Sequence, residues 1–204
     1  MFVVKFMIPE AIFSKKDPHR FQFDVGGLAS ERFGHLLSRI HVDAPQKQFA
    51  ISFPEYSKNS LGRELHLFTE TKMDALDILR CPETSCYILG NLAVVPPEEI
   101  SVERSGKVEM CVRRRSENDK RAPSTIIRKE KRTCTYNSKT GQESSCTNPK
   151  LGYKKNDLPN FFVQSRSTGQ SFCVYVEKIQ IIGRYPGLFI PGNAYGLGGV
   201  TPVL

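Results

Sequence analysis

Nothing in the 204 residues approaches the run of about 18 apolar side chains that a membrane-spanning helix needs, so no membrane partner is expected. Cysteine is sparse too. Six cysteines (81, 86, 111, 134, 146 and 173) do not amount to a disulfide scaffold, which favours a reducing, cytoplasmic compartment. The spacings Cys81-x4-Cys86 and Cys134-x11-Cys146 match no common zinc finger or ribbon, so neither a metal nor another cofactor is expected. The opening MFVVKFMIPE is broken by Lys5 and Glu10 and lacks a small-residue cleavage site, and no secretory leader is expected. The glycine-rich stretch over 183–204 lacks the strand-to-helix context of a dinucleotide fingerprint. It reads either as a terminal strand with tight turns or as backbone approaching a ligand closely.

Acidic residues are in deficit, 21 against 29 Lys and Arg, for a formal charge of +8. The surplus is localised. Residues 104–132 hold eleven Lys or Arg against four Asp or Glu, a net of +7. A charge run is commonly a solvated face. One that carries almost the whole net charge of a protein reads better as a footprint for a polyanion, and nucleic acid leads because no amphipathic membrane anchor is visible. With 39% hydrophobic and 25% charged residues the bulk of the chain should fold around a core.

Apolar periodicity predicts a strand over 2–8, a polar loop through Lys15, Lys16, Pro18 and His19, and a helix over 28–40 stopped by Asp43 and Pro45. Short strands follow at 49–53 and 64–68. Thr71 and Asp74 have the spacing of an N-cap and N3 pair for a helix over 73–79, and a strand lies within 87–95, ended by Pro96-Pro97. The order is β-α-β-β-α-β, which predicts an α+β chain with a ferredoxin-like (RRM-like) domain over 1–97. A second, RRM-like domain spans 98–204. There, residues 108–121 read as an arginine-rich helix ended by Pro123, with Arg113, Arg114, Lys120 and Arg121 on an arc of about 120° that also holds Glu117. Residues 126–132 form a further turn or two, and 134–155 a polar loop.

The stretch LPNFFVQSRSTGQSFCVYV, residues 158–176, reads as a strand over 161–164, a polar turn over 165–170 and a strand over 172–176. Ser165, Arg166, Ser167, Thr168 and Gln170 crowd the tip, with Gly169 for the turn and Phe172 just behind it. Such a tip commonly is a solvated hairpin turn; it also suits phosphate and sugar oxygens, with Phe172 as a stacking platform.

The motif Ser165-Arg166-Ser167-Thr168-Gly169-Gln170-Ser171-Phe172, the later Ala194-Tyr195-Gly196-Leu197 with Gly198-Gly199, and the upstream Ile51-Ser52-Phe53-Pro54, Leu61-Gly62 and Ala93-Val94-Val95-Pro96 occur in an order that resembles one family. It is the repeat-processing endoribonuclease of type I-F CRISPR systems. The likeness spans about two-thirds of the chain; residues 107–156 match only in being basic. It implies a metal-independent nuclease of the prokaryotic cytoplasm that cuts CRISPR precursor RNA at the base of each repeat hairpin. The 2′-hydroxyl attacks the adjacent phosphate to leave a 2′,3′-cyclic phosphate. The protein then stays on the hairpin, alongside the other subunits of a type I-F surveillance (Cascade-like) complex.

The resemblance also implies roles. A histidine of the first helix and Ser165 carry the chemistry. His41 is favoured for the first and His35 is its rival; six residues apart, a turn of about 240° (about 120° by the shorter arc), they cannot both face one site. An imidazole suits deprotonation of a 2′-hydroxyl near neutral pH. Tyr195 resembles the family's active-site tyrosine, Phe172 its stacking residue, and Arg104 its base-reading arginine, although Gly106 stands where a partner amide would be. Arg113, Arg114, Arg115, Lys120 and Arg121 resemble a helix laid along the RNA groove. Arg166, Ser167, Thr168 and Gln170 complete the expected RNA contacts. His19 and His66 read as structural. Two competing readings are a catalytically inactive hairpin-binding subunit of the same complex and a general RNA-binding protein.

Overall fold

The computed structural model describes residues 1–9, 18–100, 107–114, 158–164, 169–181 and 189–204, with the side chains of 18–26 and 164 set aside. The expectations for Arg104, Arg115, Lys120, Arg121, the segments 126–132 and 134–155, and Ser165, Arg166, Ser167 and Thr168 lie outside these residues. Residues 1–114 and 157–204 form one compact unit.

The first sheet joins β1 (Phe2–Met7), β2 (Ala50–Ser52), β3 (Glu64–Thr69) and β4 (Ala93–Glu99) in the order β2-β3-β1-β4, antiparallel throughout. This is the ferredoxin-like order. α1 (Pro18–Asp43) starts earlier than its apolar periodicity predicts, with Pro18 at a first position where a missing N–H costs nothing. Its residues Phe33, Leu36, Leu37 and Ile40 are fully buried. Their spacing is that of one helical face. α2 (Lys72–Arg80) begins at Thr71 as expected: the Thr71 hydroxyl accepts from the Asp74 N–H at 3.1 Å and donates to its carboxylate at 2.6 Å.

Two expectations fail here. Residues 87–91 are not strand but the end of a further helix, α3 (Pro82–Asn91). Its β-prone Cys-Tyr-Ile-Leu run is overridden by packing that buries Thr84 and Ile88, one helical turn apart. Nor do Pro96 and Pro97 end β4. The register jumps from Val3↔Glu98 to Lys5↔Val95, so the two prolines together oppose Val4 in a bulge. Edge strands and bulges tolerate proline because no ladder N–H is needed there.

The second sheet has the order β6-β7-β5-β8, from β5 (Val108–Arg114), β6 (Asn160–Gln164), β7 (Ser171–Ile181) and β8 (Val200–Pro202). The hairpin forms as predicted, with Gln164 opposite Ser171 and Gly169 at φ +65°. The arginine-rich helix expected over 108–121 is corrected: Arg113 and Arg114 lie on β5. Val108, Val112 and their neighbours take a central position, paired to β7 from Val108↔Ile181 to Arg114↔Tyr175 and to β8 on the other side. Ladder bonds on both edges outweigh the helical reading of a charged run.

One apolar core joins both sheets and α1. Phe33, Phe53 and Phe161 form a file of rings with centroids 6.0 and 6.5 Å apart. α1 lies directly on β6, and a Cβ on Gly34 would come within 2.1 Å of the Phe162 carbonyl oxygen. A buried polar seam runs beside the core. The Glu109 carboxylate, 2% exposed, pairs with Lys178 at 2.7 Å and accepts from the Ser52 hydroxyl, while Lys178 also donates to the Phe53 carbonyl at 3.1 Å. A buried carboxylate with two partners, one of them a cation, is tolerable; removing either partner leaves the charge stranded.

Candidate active site

The last turn of α1 carries His41 and is fixed from two directions. Leu37 and Ile40 are buried beneath it. At its end Asp43 accepts from the Thr84 N–H at 3.0 Å and from the Thr84 hydroxyl at 2.8 Å. Cys81, the N-cap of α3, supplies no side-chain cap, so Asp43 satisfies a free amide of that helix and places a carboxylate at its positive end. The end of α1 is thereby tied to the start of α3, and His41 is left half-buried beside it.

Tyr195 reaches His41 from the glycine-rich tail. Asn193 Oδ1 accepts from the Tyr195 and Leu197 amides at 2.9 and 3.3 Å, which folds 193–197 into a tight turn. Gly196 then takes φ +75°, and its carbonyl accepts from the Ile51 amide at 3.1 Å. A side chain at 196 would be strained at that φ and would meet Ile51 and the Phe49 ring at 2.7 Å. Gly192 donates to the Phe49 carbonyl and Gly198 to the Cys111 carbonyl, at 2.9 and 2.7 Å. The tail is thus laced to both sheets. Of the two readings of its glycines, the described ones support tight turns, and the backbone they approach is the chain's own.

The Tyr195 ring lies 5.0 Å from that of His41 at 49°, and 6.4 Å from that of Phe172 at 74°, an edge-to-face contact. Phe172, half-buried, faces the core side of β7 with Val174 and Val176. Arg113 is opposite Val176 on the same face, and its guanidinium lies 5.4 Å from the Phe172 ring centre. At an exposed position such a cation–π contact contributes about 0.5–1 kcal/mol. Burial pushes the Tyr195 phenol up, and the positive charge of Arg113 acts against that. His41, Tyr195, Phe172 and Arg113 therefore form one file contributed by α1, the tail, β7 and β5. Gln170 is exposed at the end of the hairpin that leads to Phe172.

The remaining expected residues are elsewhere. His35 is exposed, its ring 6.1 Å from Tyr87 of α3. Arg114 points to the other face of β5 and pairs with Glu177. Sequence reasoning missed that Arg113 belongs with Phe172, because a strand and a helix put different residues on one face. The β-branched valines at 108 and 112 of Val108-Glu109-Met110-Cys111-Val112 were the signal available. The Ser52–Glu109–Lys178 seam had none. Among the described residues no group of three or more His, Cys, Asp or Glu gathers as metal ligands, and no helix is long and apolar enough to cross a membrane.

The family described as "CRISPR-associated protein (Cas_Csy4)" matches residues 28–201. No curated protein matches the chain. Among solved structures, it is similar to a CRISPR-associated protein from Thermus thermophilus at 12% identity, over 98% of each chain, with a TM-score of 0.31. It is also similar to the CRISPR endoribonuclease Cse3 bound to a 19-nucleotide RNA, at 13% identity over 98% of this chain and 97% of that one, again with a TM-score of 0.31.

Proposed function

Because the chain belongs to the Cas_Csy4 family of CRISPR-associated proteins, we propose that it is an endoribonuclease that processes CRISPR repeat RNA. The observation that carries this reading beyond the family is the meeting of His41 and Tyr195 at 5.0 Å, beside an aromatic and a cation. An imidazole there suits removal of the proton from a 2′-hydroxyl, and a cationic edge suits the phosphate that the oxygen attacks. In this reading His41 is the base and Tyr195 orients it or the phosphate. Ser165 holds the 2′-hydroxyl in line, and misplacement by about 1 Å costs on the order of 100-fold.

The attacking oxygen displaces the 5′-oxygen of the next nucleotide, leaving a 2′,3′-cyclic phosphate and a 5′-hydroxyl. No metal takes part. Phe172 stacks on the hairpin's end, a contact of about 1–3 kcal/mol in comparable complexes. The basic segment of residues 104–132, within the RNA-binding part over 98–204, grips the stem, while the part over 1–97 supplies His41. The product hairpin stays bound, and the protein serves as a subunit of a type I-F surveillance complex in the prokaryotic cytoplasm.

The test is cleavage of the cognate repeat RNA in EDTA, compared with the same RNA carrying one 2′-deoxy at the cut. The expected result is a cyclic-phosphate product from the first and none from the second. Cutting that needs Mg²⁺, or that survives the deoxy change, overturns the mechanism. Tight binding without cleavage would favour the inactive hairpin-binding subunit instead.

A further inference from the structure

Arg113 occupies an unexpected position for an arginine in a basic segment. It stands on the core-side face of β5, opposite Val176, and its side chain runs along the sheet to Phe172, two same-face positions further along β7. Its neighbour Arg114, on the other face, is neutralised by Glu177. No carboxylate among the described residues pairs with Arg113. The guanidinium covers Phe172, and the edge-to-face contact passes that restraint on to Tyr195, whose ring lies against His41.

We propose that Arg113 is a positioning residue of the candidate active site: by capping Phe172 it fixes Tyr195 against His41, so that engagement of the RNA at Phe172 and readiness of the base at His41 are set by one file of side chains. This rests on the nuclease reading above. It differs from a phosphate contact along the groove, which would hold RNA equally well whether or not the histidine is in register.

The two roles separate experimentally. Arg113→Met keeps the length of the stem and removes the charge and the planar fork; Arg113→Lys restores the charge alone. Three readouts are needed. They are the single-turnover cleavage rate at saturating protein, the dissociation constant for the uncleavable 2′-deoxy RNA, and the NMR signals of the His41 and Tyr195 rings in the free protein. A positioning role predicts that R113M displaces both ring signals and slows the saturated rate by about tenfold or more, while R113K recovers part of each. The inference is overturned if R113M leaves the ring signals in place. It is equally overturned if the saturated rate is intact while binding weakens alike for every sequence and the salt dependence falls by about one counterion, the mark of a groove phosphate contact. If the unsubstituted protein cuts no RNA, the nuclease reading fails, and the ring signals still judge the role of Arg113.

Discussion

His35 and His41 sit on one helix, and their surroundings differ in how charge is settled. Around His35, Arg39 pairs with Glu83 at 3.2 Å and stacks over Tyr87 at 5.2 Å. Arg32 donates to Asn91, and the Tyr87 phenol, pushed up to about 12 by burial, donates to the Arg32 carbonyl at 3.0 Å. These contacts hold α3 against α1, although the Nε atoms of Arg32 and Arg39 are buried without a hydrogen-bond partner. On the side of His41, Asp43 is taken up by Thr84, and the cation at the far end of the ring file, Arg113, has no carboxylate partner among the described residues; the aromatic rings between lie half-buried. In the first arrangement each arginine has a described acceptor or carboxylate; in the second, Arg113 has an aromatic ring and no carboxylate among the described residues.

The largest expected effect tests that contrast directly. His41→Ala should slow cleavage of repeat RNA by about 10²–10⁴-fold, the usual contribution of a positioned acid or base, while His35→Ala costs no more than about twofold. Equal losses would erase the distinction between the two sides of the helix. Next in size is Gly34→Ala. A methyl group aimed at the Phe162 carbonyl has no room, so stability should fall by about 1–3 kcal/mol, read as a lower midpoint in denaturant. An undiminished midpoint would mean that the helix is not seated on β6 as described.

A third histidine extends the comparison. His66 is buried and held down to about 4, first by loss of hydration, then by Lys5, with Glu109 opposing and Lys178 adding to the fall. The unfolded ring takes up its proton near 6.5. Stability is therefore full above that value and declines as the pH falls toward about 4, by on the order of 2 kcal/mol. Unfolding at pH 7 and pH 4 for the native chain and for His66→Gln checks this. The variant should lose less on acidification, and parallel losses would remove His66 from the account.

The hairpin was legible because β-branched and aromatic residues are concentrated on both sides of a polar tip, and α1 because Phe33, Leu36, Leu37 and Ile40 keep a helical period. β5 was not. Its last residues are consecutive arginines, whose charge suggests a helix, whereas their conformation is decided by β7 and β8, distant in sequence. α3 was hidden for the same reason, since burial of Thr84 and Ile88 depends on contacts that no local pattern records. His41, Tyr195 and Phe172 were named through family motifs. What no motif conveyed was that they touch, or that Arg113 closes the file.

That file draws on residues 41, 113, 172 and 195, and its final member is held only once the tail has bonded to Phe49, Ile51 and Cys111. During synthesis the helix with His41 emerges long before the strand that completes its surroundings. Any activity that depends on the file is therefore silent in the growing chain. The file itself closes only after residue 198 has been made and its amide has reached the Cys111 carbonyl.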